Sequence, residues 1–151
     1  MGRIHSARRR DAERGFTMIE LMVVIAIIAI LASIVGPKLI GRTEKAKQAK
    51  AKAQISHFKT CLTAFYLDIG RYPTTEEGLD ALITPPGGID SDKYQEGGYL
   101  DSAQVPKDPW GKPYVYTSPG SHGQFDLVSY GRDGRQGGSG LDADIESWNL
   151  E

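Results

Sequence analysis

The sequence has almost no cysteine, because Cys61 is the only one among 151 residues. An internal disulfide is therefore excluded, and the fold cannot depend on an oxidising compartment. Cys61 lies on the apolar face of a predicted helix. We expect its thiol to be buried and to pack as a small hydrophobic side chain.

Motifs for the common catalytic chemistries are missing as well. The sequence contains no glycine-rich phosphate loop and no His-Glu-x-x-His zinc motif, and His5, His57 and His122 are far apart along the chain. His57 and Cys61 are four residues apart, which places them on one helix face, but no orienting group or oxyanion site accompanies them. We therefore expect no enzymatic activity.

What the sequence does have is one long apolar run from Phe16 to Val35, whose only charged residue is Glu20. A helix of this length spans about 30 Å, the thickness of the hydrocarbon core of a bilayer. A secretory signal peptide is not favoured, because its apolar region covers only about 7–15 residues and is followed by a cleavage site of small residues. A carboxylate in such a run costs at least ~2–3 kcal/mol and is usually retained for a function.

A cut between Gly15 and Phe16 would give Glu20 a partner. Phe16 would gain a positively charged α-amino group, and Glu20 follows it one helical turn later. Buried charges are tolerated when they are paired. A pair between packed helices would also fix their axial register, as a single polar residue does in a coiled coil.

The segment Arg14-Gly15-Phe16-Thr17-Met18-Ile19-Glu20 resembles the class III signal of type IV pilins and pseudopilins. The resemblance implies that a prepilin peptidase cuts after Gly15 on the cytoplasmic side and N-methylates Phe16. The apolar helix would stay attached and form the filament core, with Glu20 acting in assembly. Pro37 is similar to the helix-weakening proline of that family, and a proline inside a helix favours a kink.

A second helical pattern follows the apolar run. No proline interrupts residues 38–69, and Gly70 and Pro73 provide a stop signal. One face of this amphipathic stem repeats apolar residues at spacings of three and four: Ile55, Phe58, Leu62, Phe65 and Ile69. The pattern predicts one kinked helix from about residue 16 to about residue 69, with its second half packed on a small head.

The rest of the chain predicts a short helix and two strands. Thr74-x-x-Glu77 is a capping-box pattern before Leu79, Ala81 and Leu82. Strands are predicted over residues 114–117 and 124–130, and the stem helix would cover their apolar face. Trp110 and Trp148 are expected to pack in the core or at its rim. The predicted fold class is α+β.

Three segments narrow the resemblance to one family. "GRYPTTEEGLDALI" (70–83), "DPWGKPYVY" (108–116) and "ADIESWNL" (143–150) are similar to the general secretion pathway protein G family, the major pseudopilins of type II secretion. This likeness implies the pilin-like fold. Fibre-forming type IV pilins commonly carry a longer head with a disulfide loop, which the lone Cys61 forbids.

The resemblance divides the chain into four parts. Residues 1–15 are the cleaved leader, residues 16–36 the membrane-spanning and filament-core helix, residues 37–69 the stem helix, and residues 70–151 the periplasmic head. The flanking charges are nearly balanced, so the orientation with the N-terminus in the cytoplasm also comes from the resemblance.

Charge differs strongly between these parts. Residues 1–15 carry +3, residues 38–59 carry +6 and residues 60–151 carry −9, within an overall formal charge of −1. The lysine-rich stem lacks the interleaved aromatic residues that stack on bases. We interpret it as a solvated face, or as a surface that meets acidic heads of neighbouring subunits, rather than as a site for nucleic acid or anionic lipid.

The acidic, glycine-rich loop at about residues 130–146 is a candidate metal site. Carboxylates and carbonyls on a flexible loop suit Ca²⁺, although solvated aspartates on a plain turn explain the pattern equally well. The resemblance implies one structural Ca²⁺, with Asp133 and the Tyr130 carbonyl as ligands. Asp142 is the favoured second side chain, followed by Asp144 and Ser139.

Two arginines depart from the family's pattern in this loop. Arg132 and Arg135 stand where a small residue and a neutral or acidic residue are common. Two cations near the ion would weaken its binding, unless they pair with Glu146 or Glu151 instead.

Together these features predict a structural subunit of the type II secretion pseudopilus, which drives export of folded proteins through the outer membrane. The expected partners are further copies of the chain, minor pseudopilins, the prepilin peptidase, and an inner-membrane assembly platform with its ATPase. The subunit would sit in the inner membrane before assembly, with its head in the periplasm. The alternatives are another pilus-like filament, including a DNA-uptake pseudopilus, and a membrane-tethered calcium-binding module that never polymerises.

Overall fold

The computed structural model of the protein describes residues 15–150, apart from the side chains of residues 35–40. Its elements are helix α1 (Met18–Ile69), a 3₁₀ helix (Leu79–Leu82), strands β1 (Val115–Thr117) and β2 (Asp126–Ser129), a second 3₁₀ helix (Gly140–Asp142) and strand β3 (Ile145–Glu146). The chain forms two compact units, Met1–Leu39 and Ile40–Glu151. Residues 1–14 of the predicted leader and Glu151 lie outside the described residues.

The first unit contains the apolar half of α1. Its large apolar side chains are exposed, from 49% for Val24 to 90% for Phe16. Among the helices of the described residues, none combines the length and the hydropathy that a membrane crossing requires. The predicted span reaches residues 35 and 36, whose side chains are outside the described set, and it stays a prediction. The kink at Pro37 also stays a prediction.

The second unit begins with the stem half of α1, and its predicted apolar face is confirmed. Ile55, Leu62 and Phe65 are fully buried, and Phe58 retains 1% of its exposure. The helix ends at Ile69, as the Gly70 signal predicts. Gly70 adopts φ 84° and donates its N–H to the Tyr66 carbonyl at 2.8 Å, which satisfies a terminal carbonyl of the helix.

The predicted capping box forms, but the helix that follows it is shorter and tighter than expected. Glu77 Oε2 accepts the Thr74 N–H at 2.8 Å, and Thr74 Oγ1 accepts the Glu77 N–H at 3.2 Å. Glu77 also accepts two hydrogen bonds from Arg71, at 2.6 and 2.7 Å. The 3₁₀ helix Leu79–Leu82 then turns Leu79, Ala81 and Leu82 into the core.

The head contains a three-stranded antiparallel sheet in the order β1-β2-β3. Val115 pairs with Val128, and Ser129 pairs with Ile145. β1 and β2 confirm the two predicted strands, although both are shorter than predicted. β3 was not predicted, because two residues between turn signals give no period to detect. The α+β class is confirmed.

Aromatic residues join this sheet to the stem. Phe58 on α1 contacts Tyr114 edge-to-face, with ring centroids 5.2 Å apart. Tyr114 Oη donates to Gln54 Oε1 at 2.9 Å, and Tyr116 Oη donates to the Pro73 carbonyl at 2.9 Å. Each ring therefore buries apolar area while its hydroxyl keeps a hydrogen-bond partner.

Asp108 is a buried carboxylate that organises the turn before β1. Its Oδ1 accepts the N–H groups of Trp110 and Lys112, at 3.1 and 2.7 Å, and its Oδ2 accepts Ser129 Oγ–H at 2.7 Å. The Asp108 side chain thereby fixes the turn to β2. Its residue surface is only 4% exposed.

Leu62→Ala should lower the free energy of unfolding by about 2–5 kcal/mol, because it removes a fully buried side chain and leaves a cavity. Leu67→Ala is the matched control, since Leu67 lies on the same helix and is 76% exposed; its effect should stay within about 0.5 kcal/mol. Chemical denaturation followed by circular dichroism measures both. Equal losses in the two variants would contradict the burial pattern.

Asp108→Ala should lower the free energy of unfolding by roughly 3 kcal/mol, because it leaves buried donors without an acceptor. Asp101→Ala, at an exposed aspartate of the same head, serves as the control and should cost less than about 0.5 kcal/mol. The same denaturation measurement applies. A loss in Asp108→Ala no larger than that in the control would show that the turn does not need its carboxylate.

Candidate functional site

The candidate loop of residues 130–146 consists of the connection between β2 and β3 together with β3 itself, and it is closed at its base. Ser129 and Ile145 are paired across the two strands. Gly131 follows with φ 56°, and a Cβ at this position would lie 2.9 Å from the Ala143 carbonyl oxygen. Only glycine permits both this backbone conformation and this close approach. The two ends of the loop therefore touch through their backbones.

Two predicted ligands lie in the first turn of the loop. The Tyr130 carbonyl accepts the Gly134 N–H at 3.0 Å, and Asp133 Oδ1 accepts the Arg135 N–H at 3.2 Å. Asp133 is exposed. A carbonyl has two lone pairs and a carboxylate has about four acceptor sites. Tyr130 and Asp133 therefore keep acceptor capacity that a cation can use.

Asp144 is the predicted ligand with an unmet acceptor. Its Oδ2 accepts the Gly137 N–H at 2.8 Å. Its Oδ1 is buried and has no hydrogen-bond partner in the structure. Buried carboxylate oxygens are rarely left unpaired, so this atom calls for an explanation such as a bound ion. Ser139 is exposed, and its carbonyl accepts the Asp142 N–H at 3.2 Å.

Asp142 has a partner that the sequence did not predict. Arg132 Nε donates to Asp142 Oδ1 at 2.7 Å, and a terminal guanidinium nitrogen donates to Oδ2 at 3.0 Å. Pairing with Glu146 or Glu151 was one of two alternatives for Arg132, and the structure pairs Arg132 with Asp142 instead of Glu146; Glu151 lies outside the described residues. The pairing follows the contact between Gly131 and Ala143, which brings their chain neighbours together.

The chemistry of this loop fits a hard cation. Within the described residues, no group of three or more His, Cys, Asp or Glu side chains is arranged to hold a metal ion. Ca²⁺ does not need such a group, because it takes carboxylates and backbone carbonyls together from flexible loops. Asp133, Asp144 and the Tyr130 carbonyl are donors of this kind, and the unpartnered oxygen of Asp144 is the observation that fits a cation best.

Lys112 binds the backbone of the loop through its side chain, a contact that the sequence did not predict. Its Nζ donates to the carbonyls of Arg132 at 3.0 Å and of Gly131 at 3.4 Å. The lysine side chain lies against Gly134, where a Cβ would overlap it. No local pattern connects residue 112 with a loop twenty residues later, so only the fold shows this contact.

Two stem residues face the same region. Gln48 Nε2 donates to the Gly140 carbonyl at 2.8 Å. Glu44 is buried and accepts Trp110 Nε1–H at 2.8 Å and Lys47 Nζ–H at 3.2 Å. The loop therefore rests on the stem helix as well as on the sheet.

At the other candidate site, Glu20 belongs to a second capping box. Glu20 Oε2 accepts the Thr17 N–H at 2.8 Å and Thr17 Oγ1–H at 2.9 Å, and Thr17 Oγ1 accepts the Glu20 N–H at 3.3 Å. Gly15 and Phe16 precede the helix. The Thr17-x-x-Glu20 pattern is a capping-box signature that the sequence itself carries.

The one cysteine is placed as predicted. Cys61 is buried, and its Sγ lies 3.7 Å from His57 Nε2. Burial raises the pKa of the thiol, and the negative charge of Asp101 adds to the rise. A nucleophilic cysteine needs the opposite shift, because the thiolate is the reactive form.

Comparisons with known sequences agree with this structure. The sequence profile of the family described as "Type II secretion system (T2SS), protein G" matches residues 38–148, and that of the prokaryotic N-terminal methylation motif matches residues 10–36. The type II secretion system core protein G of Vibrio cholerae is 47% identical over 144 residues, which cover 95% of this chain and 97% of the relative. The core protein G of Pseudomonas aeruginosa is 44% identical, with 93% and 99% covered.

A solved structure supports the same assignment. The crystal structure of the major pseudopilin from the type 2 secretion system of enterohaemorrhagic Escherichia coli matches with a TM-score of 0.63 and 34% identity. The match covers 75% of this chain and 92% of the solved chain. The chain belongs to the type II secretion system protein G family and is a pseudopilin, a structural subunit of the secretion pseudopilus.

Proposed function

We propose that the mature chain polymerises through its apolar helix into the periplasmic pseudopilus, and that the growing filament drives folded proteins through the outer membrane. The observation that carries the proposal is the methylation motif over residues 10–36, which includes an apolar helical segment with exposed side chains. An apolar surface of this extent needs a lipid or protein partner. Bilayer lipid before assembly and other copies of the same helix afterwards supply that partner in turn.

The proposed route from the membrane to the filament begins with the same segment and with its resemblance to the class III signal. The chain enters the inner membrane once, with its N-terminus in the cytoplasm and its head in the periplasm. The prepilin peptidase removes residues 1–15 and methylates the new amine of Phe16. The assembly platform and its ATPase then move the subunit from the bilayer into the filament, where minor pseudopilins are further partners. The chain itself acts as a structural subunit rather than as an enzyme.

Glu20 is proposed to serve assembly through its charge. Its carboxylate already reaches back to the Thr17 N–H, one residue from the nitrogen that cleavage would free. A carboxylate held at this point is suitably placed to meet the Phe16 amine of its own helix or of a neighbouring one. In apolar surroundings the two charges are tolerated only when they are paired. The pair would therefore fix the register between subunits.

Glu20→Ala should be cut and inserted normally but should form few filaments, because the new amine would lose its partner. Glu20→Gln separates the two roles of the side chain, since glutamine also completes a capping box but carries no charge. We expect Glu20→Gln to assemble as poorly as Glu20→Ala. Shearing and sedimentation measure filament yield, and intact mass checks that each variant begins at N-methyl-Phe16. Normal assembly of Glu20→Gln would leave the cap as the only function of Glu20.

The head is proposed to bind one structural Ca²⁺ in the loop of residues 130–146. Asp133, Asp144 and the Tyr130 carbonyl would hold it, and the buried unpartnered oxygen of Asp144 supports this set. Ser139 is a further candidate, and Asp142, the second side chain favoured from the sequence, would first have to leave Arg132, which binds both of its oxygens. The bound ion would supply positive charge that orders a loop rich in glycine.

Calcium should raise the melting temperature of the protein, because a ligand that binds only the native state stabilises it by about 2.7 kcal/mol at a hundred times its Kd. Asp133→Ala and Asp144→Ala should each remove most of this shift. Thermal melting in excess Ca²⁺ and in chelator is the measurement, with Asp101→Ala as an exposed control outside the loop. Identical melting curves in the two conditions would contradict a structural calcium.

Deletion of the gene followed by complementation tests the whole proposal. Export of folded proteins should stop, and overexpression of the intact chain should yield fibres visible by electron microscopy. Fibres without any effect on export would favour another pilus-like filament, and normal export without fibres would favour a membrane-tethered calcium-binding module.

A further inference from the structure

The ion pair between Arg132 and Asp142 spans the calcium loop from one side to the other. Both hydrogen bonds are short, 2.7 and 3.0 Å, and the two side chains are 44% and 36% exposed. A bidentate pair uses both carboxylate oxygens and fixes the carboxylate plane. Asp142 is therefore engaged on both oxygens, whereas Asp144 keeps one oxygen without a donor.

The backbone on both sides holds this pair in place. Gly131 lies against the Ala143 carbonyl, so the residues that follow and precede them, Arg132 and Asp142, face each other. Lys112 Nζ fixes the Arg132 carbonyl at 3.0 Å. On the opposite side Gly138 packs so closely on the Asp142 carbonyl that a Cβ would overlap it. The pair does not depend on two free side chains finding each other in solvent.

The electrostatic surroundings favour the same arrangement. The negative charges of Glu44 and Asp133 also act on Arg132, in addition to that of Asp142. Arg132 thus lies near Glu44 of the stem and near Asp133 and Asp142 of the loop. Without the arginine, these carboxylates would attract a divalent cation.

We propose that Arg132 is an internal counter-cation that keeps Asp142 out of the calcium coordination shell and thereby sets the calcium affinity of the loop. The inference rests on the proposed calcium site. It assigns the ion to Asp133, Asp144 and backbone carbonyls, and it gives Asp142 to the arginine. The guanidinium would also act as a like charge beside Asp133, one of the proposed ligands, and would weaken calcium binding further.

The proposal predicts effects of opposite sign on two quantities. Without calcium, the pair closes the loop, so its loss lowers the melting temperature. With calcium, loss of the arginine frees a carboxylate and removes a repulsive charge, so the ion binds more tightly. Calcium affinity in such loops rises with the number of charged ligands. If Arg132 merely supported the loop, its removal would lower both the melting temperature without calcium and the calcium affinity.

The test compares Arg132→Gln with Arg135→Gln in the full chain in detergent. Arg135 is exposed, lies in the same loop, and makes no ion pair among the described residues, so its loss changes net charge equally. Calorimetric titration with CaCl₂ gives Kd, and thermal melting in chelator gives the stability without calcium. Arg132→Gln should bind Ca²⁺ roughly tenfold more tightly and melt about 2–4 °C lower in chelator. Arg135→Gln should change Kd less than about threefold.

The double variant Arg132→Gln/Asp142→Asn identifies the group that is released. The gain in affinity should disappear in it, because the freed carboxylate is the new ligand. An Arg132→Gln variant that binds Ca²⁺ like wild type or more weakly would overturn the proposal, as would an equal gain in Arg135→Gln. Absence of calcium binding in wild type and in all variants would instead contradict the calcium site itself.

Discussion

The apolar stripe of the stem helix is the contact on which the head depends. The three strands contain nine residues in all, too few to enclose a core between themselves. Ile55, Phe58, Leu62 and Phe65 supply the missing surface, and each is buried almost completely. Because a helix presents such residues at every third or fourth position, one continuous element can support the 3₁₀ helix, the aromatic rings and the sheet together.

The N-terminal half of the same helix needs different surroundings from the stem half. Between Phe16 and Ile34 the apolar side chains point in all directions and are exposed. A surface of this kind is stable only against lipid or protein, and the proposed route supplies first lipid and then further copies of the helix. Family membership connects this physical requirement with a secretion filament. Glu20, held by Thr17 at the helix start, is the one charged side chain between Phe16 and Ile34 that such an assembly must accommodate.

The C-terminal loop shows how polar groups can order a segment with little regular structure. Glycines in left-handed conformations let its ends touch and let Lys112 cross beneath it. The Arg132–Asp142 ion pair connects the two sides of the loop, and Gln48 binds the loop to the stem. A loop fixed at three points would need little further ordering to bind the proposed ion. This preorganisation would reduce the entropy cost of binding, while the proposed effect of the arginine charge on affinity would act in the opposite direction.

The sequence by itself determined the features that rest on local periodicity and local stereochemistry. The stem face, the stop at Gly70, the capping box at Thr74 and the buried Cys61 follow from spacing along the chain, and the structure confirms each of them. The family likewise follows from contiguous segments. Four features became visible only in the tertiary structure: strand β3, the hydrogen bonds of Asp108, the contact of Lys112 with the loop, and the pairing of Arg132 with Asp142. The long-range contacts among these join residues 10 to 21 positions apart. Such pairings depend on where the fold brings the backbone, which no local pattern records.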